Sequence, residues 1–417
     1  MAVTKKPPAT SSAGERTAKA RTGREKPDKA ADDKVRTLEQ LLATKEIVIC
    51  CGSGGVGKTT TAAAAALMAA THLGGKVLVV TVDPARRLAT ALGLERFGNT
   101  ETRVPAEAFA AAGIEPRGEL WAAMLDTKQS WDDLVERHAP DGSIRDQILA
   151  NSLYQNISGR FVQSHDYIAM ERLYEIHQSG TYDLIVVDTP PTRNAIDFLE
   201  APDRMADFFS SKLLRWLTAP AKSRVMTFAS KPFYTVADRI LGSQFLADIA
   251  TFFSLFQTMA PGFVLRAEAV TRTLADRRTT FVVVSTLEAA PLHEAEFFIG
   301  ALDERKLHLG ALVLNKVLPA YLRRTSTTGV AKRLVSDADD LASGVDGVAD
   351  VGDAADVARV LATVGESFLN YQVVAKREAE QRAGLARSPD VVAAVPYFDT
   401  DIADISGLLA LGEQIWR

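Results

Sequence analysis

Short, continuous apolar runs recur along the chain, and segments with helical periodicity separate them. The runs carry apolar residues at successive positions, without the alternation that a half-exposed strand shows. They predict strands covered by helices on both faces, so we expect a doubly wound α/β fold with a mostly parallel sheet. The predicted strands are Ile47–Cys51, Lys76–Val82, Tyr182–Asp188, Phe281–Thr286, Leu309–Asn315 and Val391–Val395.

Three stretches between these strands exceed what simple crossovers need. Residues of about 101–180 and 202–274 predict helical insertions that form a subdomain, and residues 336–356, poor in bulky side chains, predict a mobile surface segment. The second insertion has an apolar stripe on one helix face, which is typical of core packing; the functional alternative is a groove for an apolar ligand or client helix. The stripe consists of Leu241, Phe245, Ile249, Phe252 and Phe256.

Composition narrows the classes of protein that fit. Residues 1–38 hold few large apolar side chains and predict a disordered tail, whereas residues 39–417 predict one folded domain. The net charge of −4 indicates no general attraction to nucleic acid. Because the longest apolar run, Ala62–Ala70, is too short for a bilayer span and no signal peptide opens the chain, we expect a cytoplasmic protein.

The two cysteines, Cys50 and Cys51, are adjacent on the first predicted strand. Successive strand residues face opposite sides of a sheet, so the two thiols are poorly placed for a shared metal or a disulfide. We therefore expect small buried side chains here and neither zinc nor an iron–sulfur cluster.

Residues 52–60 read Gly-Ser-Gly-Gly-Val-Gly-Lys-Thr-Thr between a predicted strand and a predicted helix. In this context glycines let backbone N–H groups approach phosphate oxygens, a lysine reaches the β- and γ-phosphates, and a threonine hydroxyl ligates Mg²⁺. The motif predicts a phosphate-binding loop for ATP with Mg²⁺. Its nucleotide-binding residues are Gly54, Gly55, Val56, Gly57, Lys58, Thr59 and Thr60, with Thr59 as a magnesium ligand.

Two further predicted strands end in an acid. Asp83 is followed by Pro-Ala, and Asp188 is followed by Thr-Pro-Pro-Thr192. An aspartate that closes a buried strand beside a phosphate loop commonly belongs to the Mg²⁺ shell, although helix or turn capping also explains such a residue. We expect catalytic roles for Lys58, Asp83 and Asp188, with Asp188 in the magnesium shell.

Together with Leu314-Asn315, these motifs resemble the ArsA-type ATPases, the family of arsenical-pump ATPases and of ATPases that target tail-anchored membrane proteins. The resemblance spans about residues 45–417 and is nearest to single-domain, Get-like actinobacterial members. It implies the deviant phosphate-loop (SIMIBI) type of NTPase fold, and a dimer that Mg-dependent ATP hydrolysis switches. It also implies that Asp83 positions the attacking water and that residues 188–192 form switch II. It further implies that Asn315 reads the adenine edge, and that Val395-Pro396-Tyr397 walls the base.

The chain departs from the family pattern at two places. Ser53 stands where a lysine usually reaches into the partner's nucleotide, and Arg193-Asn194 replaces a common Gly-His. The first departure leaves three alternatives: a slow homodimer, substitution by Arg86, Arg87 or Arg193, or a heterodimer in which a paralogous subunit supplies the lysine.

The motifs leave the use of the ATPase open. An ATP-driven factor that binds or targets hydrophobic or membrane-protein clients is the favoured hypothesis. A soluble motor subunit of an anion transporter is the alternative, although the chain lacks the cysteines of a metalloid site. A partitioning ATPase is less favoured, because the C-terminal segment 401–417 is not a basic surface for DNA or membranes.

Overall fold

The computed structural model describes residues 35, 37–82, 86–94, 98–157, 164–190, 195–211, 251–344, 353–384 and 389–416. Residues 1–34, which make up most of the predicted tail, lie outside this range. The first helix begins at Leu38, whose side chain is buried, and Thr37 caps it through a hydrogen bond from the N–H of Gln40 at 3.2 Å. The folded part therefore includes the last two residues of the predicted tail.

The described strands form one eight-stranded sheet in the order β3-β4-β2-β5-β1-β6-β7-β8. All described pairings are parallel except that of β3 with β4, which confirms the predicted α/β fold with a mostly parallel sheet. Strands β2 to β5 lie on one side of β1 in the sheet, and strands β6 to β8 lie on the other side. The strands are β1 Ile47–Cys51, β2 Lys76–Thr81, β3 Thr102–Arg103, β4 Glu119–Met124, β5 Leu184–Asp188, β6 Thr279–Ser285, β7 Leu309–Val317 and β8 Val391–Pro396.

Helices connect the strands, and several begin at a side-chain cap; Asp126 and Asp141, for example, accept from backbone N–H groups three residues on. Residues 251–257 are helical and residues 320–323 form a 3₁₀ turn. Within the described residues, no helix combines the length and the apolarity that a bilayer span needs. The described α-helices with given bounds are α1 Leu38–Leu42, α2 Lys58–His72, α3 Arg86–Ala91, α4 Ala106–Ala111, α5 Thr127–His138, α6 Gly142–Ala150, α7 Ser152–Ile157, α8 Ser164–Gln178, α9 Ala195–Ser210, α10 Ala260–Leu274, α11 Ala289–Glu304, α12 Thr325–Ser336, α13 Ala338–Ser343, α14 Ala354–Gly384 and α15 Ile405–Trp416.

The sheet separates two apolar cores. Side chains alternate between them along β1, so that Val48 and Cys50 pack on the face of α2 and α15, whereas Ile49 and Cys51 pack on the face of α8 and α11. The two cysteines are free and face opposite cores, as their adjacency predicts. Alanines of α2 let this helix lie close to the sheet and to α15.

A third apolar cluster lies among helices α5 to α10, in the region predicted to form the helical subdomain. It joins the ends of α5, α8 and α10 through aromatic contacts around Trp131, whose ring centroid lies 5.9 Å from that of Phe256 and 6.0 Å from that of Phe263. Phe252 and Phe256 are buried in this cluster, which favours core packing for their half of the predicted stripe. The other half, Leu241 to Ile249, lies outside the described residues.

The structure differs from the sequence expectation in residues 101–180, which do not form an all-helical insertion. They supply β3 and β4, and β4 pairs with β2 along its full length. The β4 segment, Glu-Leu-Trp-Ala-Ala-Met, was not predicted as a strand, because alanine has a low propensity for strands. The two residues of β3 are too few to show a pattern. In the predicted mobile segment, residues 338–343 are helical and residues 345–352 lie outside the described range.

Candidate active site

The glycine loop lies between β1 and α2 at the carboxyl end of the central strand, where strand connections run to opposite sides of the sheet. Ligands of open α/β sheets bind at such a point. Gly57 precedes the helix with φ +94°, and a Cβ on it would lie 2.3 Å from Nδ2 of Asn315. A Cβ on Gly52 would lie 2.1 Å from the carbonyl oxygen of Val284. The path of the loop therefore requires glycine at both positions.

The backbone of this loop presents unpaired donors. Among the described residues, no group accepts a hydrogen bond from the N–H groups of residues 54–57. Gly54 and Gly55 are exposed, whereas Lys58 is only 6% exposed and donates from Nζ to the carbonyl oxygen of Ser53 at 2.9 Å. Successive free N–H groups, a lysine and the amino end of α2 form the donor arrangement that binds phosphate.

Asp188 connects the loop helix to two strands. Its carboxylate is fully buried at the end of β5, and Oδ2 accepts hydrogen bonds from the hydroxyls of Thr59 at 2.6 Å and Thr81 at 2.9 Å. The structure therefore brings together the predicted magnesium ligand and the predicted shell carboxylate, 129 residues apart in the chain. A hydroxyl beside a carboxylate is an all-oxygen donor pair, which fits Mg²⁺. Thr81, the last residue of β2, was not predicted as part of the site, because no motif marks it.

The segment 188–192, predicted as switch II, is described only at its start. The hydroxyl of Thr189 donates to the carbonyl oxygen of Cys50 at 2.9 Å, which fixes the residue after Asp188 against β1. Residues 191–194, and with them the Arg193-Asn194 departure, lie outside the described residues. Asp83 also lies outside them, as do the side chains of Arg86 and Arg87, so the role of Asp83 stays a prediction.

Asn315 lies on β7 and contacts the phosphate loop. Its Nδ2 donates to the carbonyl oxygen of Val56 at 2.8 Å, and its Oδ1 accepts from the N–H of Lys316 at 2.9 Å. Both ends of the carboxamide are therefore engaged by protein groups here. The adenine-reading role that the resemblance implies stays a prediction. The same holds for Pro396 and Tyr397 beside it, where the exposed Tyr397 donates from its N–H to the carbonyl oxygen of Val317 at 3.2 Å.

Lys316 is a residue at this site that no motif indicated. Its Nζ lies 3.2 Å from the carbonyl oxygen of Gly55, at the tip of the phosphate loop. Ser53, at the position of the missing lysine, has a buried hydroxyl that makes no hydrogen bond to the described residues.

Burial raises the pKa of Cys51 to about 12 and that of Cys50 well above its usual range, so both thiols stay neutral and provide no nucleophile.

The architecture and this site agree with a known family. The sequence model of the ArsA-type ATPases, the anion-transporting ATPases, matches residues 45–335, which is more than half of the chain. The chain belongs to this family. The family assignment made from the motifs is thereby confirmed, and the enzyme class is that of an ATPase.

Two curated relatives of this ATPase show how far the similarity extends. An "ATPase ASNA1 homolog" of Entamoeba dispar is 24% identical over 250 residues, which is 58% of this chain and 67% of the relative. An "ATPase get3" of Aspergillus niger is 27% identical over 244 residues, which is 58% of this chain and 64% of the relative. The aligned part thus spans about two thirds of each relative's length.

Proposed function

We propose that the chain binds Mg-ATP in the loop of residues 54–60 and hydrolyses it. The row of free N–H groups at residues 54–57 carries this proposal, because no described residue accepts from them and they lie at the amino end of α2, where an anion is favoured. The buried Lys58 stands at the base of the same loop and adds the positive charge that a triphosphate requires.

Each residue then has a distinct role. Lys58 neutralises charge on the terminal phosphates, and its buried setting strengthens that attraction. Thr59 and Asp188 would hold Mg²⁺, which supplies Lewis-acid stabilisation of the phosphate oxygens when bound. Asp83 orients the attacking water, as the resemblance implies.

Thr59 and Thr81 provide a matched pair of variants for testing this proposal. Both hydroxyls donate to the same oxygen of Asp188, but only Thr59 lies in the first turn of α2, next to Lys58, whereas Thr81 lies on β2. Thr59→Val should lower Mg-dependent phosphate release by about a hundredfold, since a ligand of the metal is lost. Thr81→Val removes a buried hydrogen bond to a charged acceptor and should cost about 1.5–3 kcal/mol of stability with a much smaller loss of turnover.

The measurement is steady-state phosphate release at saturating ATP, with urea unfolding of each variant. Equal loss of turnover in the two variants would contradict a metal-ligand role for Thr59. Absence of ATP binding by the unmodified chain, or hydrolysis unaffected by Lys58→Ala, would contradict the proposed site itself.

We further propose that hydrolysis switches the helical subdomain of a dimer. Switch II leads from Asp188 directly into α9, and Ala201 of this helix is buried in the aromatic cluster that contains Trp131 and Phe263. A shift of residues 189–194 on loss of the γ-phosphate would therefore displace α9 against that cluster. Helices that move against an apolar core can open and close a surface for hydrophobic clients.

The client class is testable with a defined probe. We expect the ATP-bound protein to bind a peptide of about 20 mostly leucine and alanine residues, the length of a membrane-spanning helix. A matched peptide with four leucines replaced by serine serves as the control. Binding that is equal for both peptides, or equal with ATP and ADP, would contradict nucleotide-controlled client binding. The family's description as anion-transporting favours the motor-subunit alternative, which predicts no peptide binding at all.

The partner in the dimer is tested separately. Light scattering on the purified chain with ATP and Mg²⁺ measures whether it doubles its mass by itself. A monomer with little turnover, activated by a paralogous subunit with lysine at the Ser53 position, is expected for the heterodimer. Brisk turnover by a homodimer is expected if this chain completes its own site.

A further inference from the structure

Two consecutive residues of β7 both reach the phosphate loop. Asn315 donates from Nδ2 to the carbonyl oxygen of Val56, and Lys316 donates from Nζ to that of Gly55. In a regular strand, successive side chains face opposite sides of the sheet, so one of these contacts would be lost.

A β-bulge makes the double contact possible. The pairing of β7 with β8 shifts register between Leu314 and Val317, and Lys316 has a left-handed backbone with φ +57°. A lysine is costly in that conformation, and bulges that re-aim a side chain are typical next to active sites. Beyond the bulge, the N–H of Leu318 donates to the Glu378 side chain of α14 at 3.0 Å, which fixes the chain.

The contacts control the direction of the loop's donors. In a planar trans peptide, the C=O and the following N–H point in opposite directions. A carbonyl of Gly55 that is held by Lys316 therefore turns the N–H of Val56 to the other side of the loop, and the Asn315 contact does the same for the N–H of Gly57. A cation on a carbonyl oxygen also polarises its peptide unit, so that the attached N–H becomes a stronger donor.

We propose that Lys316 is a positioning residue for the phosphates. It holds the Gly55 carbonyl, so that the N–H of Val56 points to the other side of the loop, and it adds a positive charge at the loop tip. This is the loop in which Ser53 offers only a hydroxyl where the family pattern has a lysine. The proposal rests on ATP binding at residues 54–60, as proposed above. It assigns to this chain an internal source of charge, independent of a partner subunit.

Lys306 offers a matched control. It is also an exposed lysine with a left-handed backbone, φ 56°, but it precedes β7 at the opposite end of the strand, directly after α11. Glycine removes the backbone strain at both positions, so Lys306→Gly and Lys316→Gly should each keep or raise the unfolding temperature. Both variants lose one exposed positive charge, but only Lys316 contacts the phosphate loop.

The experiment measures the dissociation constants of fluorescent mant-ADP and mant-ATP, with Mg²⁺, for the full chain. Lys316→Gly should bind both nucleotides about fivefold more weakly, the size expected for a charge-assisted hydrogen bond at an exposed group. Lys306→Gly should leave binding unchanged. Lys316→Arg, which keeps charge and donor, should restore binding to within about twofold of the unmodified chain.

The outcomes separate the two proposals. Unchanged binding by Lys316→Gly, or equal weakening by Lys306→Gly, would overturn the role of Lys316 while leaving the ATP site intact. Binding by the unmodified chain that does not respond to Lys58→Ala would overturn the ATP site itself. A purely structural role of Lys316 is contradicted if Lys316→Gly unfolds at a higher temperature and yet binds nucleotide more weakly.

Discussion

Glu171 of α8 and Arg266 of α10 form a buried ion pair in the helical subdomain. The Glu171 side chain is 1% exposed, and Oε1 lies 2.5 Å from Nε of Arg266. Oε2 accepts a hydrogen bond from the Tyr167 hydroxyl at 2.8 Å. The Arg266 side chain is 14% exposed, and its guanidinium also lies over the ring of Phe263 at 5.0 Å from the ring centroid. The pair thus joins two helices that border the aromatic cluster.

Removal of either partner should be strongly destabilising. Glu171→Met leaves the Arg266 guanidinium buried without its carboxylate, and Arg266→Met leaves the carboxylate without its cation; each should cost about 3–5 kcal/mol. The double variant buries two flexible apolar side chains of similar length and leaves no buried charge, so it should cost no more than about 2 kcal/mol. The two substitutions should therefore show a coupling free energy of at least about 4 kcal/mol.

Urea unfolding at neutral pH, followed by circular dichroism and tryptophan fluorescence, measures these costs. Trp131, one of four tryptophans, lies in the adjacent cluster with its ring 6.4 Å from that of Tyr167, so its share of the emission reports on this part of the protein. Single variants that each lose less than about 1 kcal/mol, or a double variant whose loss is the sum of the two, would refute the reasoning, since exposed pairs behave in that way.

Two further outcomes follow from the structure. Gly57→Ala places a Cβ 2.3 Å from Nδ2 of Asn315 and should weaken mant-ADP binding about tenfold more than Gly55→Ala. Both glycines have a positive φ, so both substitutions strain the backbone, but a Cβ on Gly55 would meet nothing within 4 Å. Similar losses would contradict the role of the contact with Asn315. Burial, the main effect, raises the pKa of Glu171 above its ordinary 4.5, so the native state keeps that proton longer than the unfolded chain. The contribution of Glu171 to the free energy of unfolding should therefore fall as pH rises from about 4.5 to its raised pKa. Thermal unfolding of the unmodified chain across this pH range measures the fall. The Glu171→Gln variant has no titrating group at this position and should not show it.

Several features were predictable because their signals are local. The glycine loop, its lysine and its threonines are contiguous, and the buried strands read as apolar runs of the expected length. Strand β4 was not predictable in this way, since a short segment with two alanines becomes a strand only because β2 offers it an edge. For the same reason, sequence alone did not separate Phe252 and Phe256 as core residues from a client groove.

The sequence by itself determined where the loop lies and which residues form it, and it predicted Asp188 as the acid beside it, since such a loop depends on neighbouring residues and on strand ends that the apolar pattern shows. Only the tertiary structure decided which distant groups complete that loop. Asn315 and Lys316 contact carbonyls 259 and 261 positions away in the chain, and both reach the loop because the register of β7 with β8 shifts between Leu314 and Val317. Such a bulge is a property of two strands in register, and no single stretch of residues encodes it.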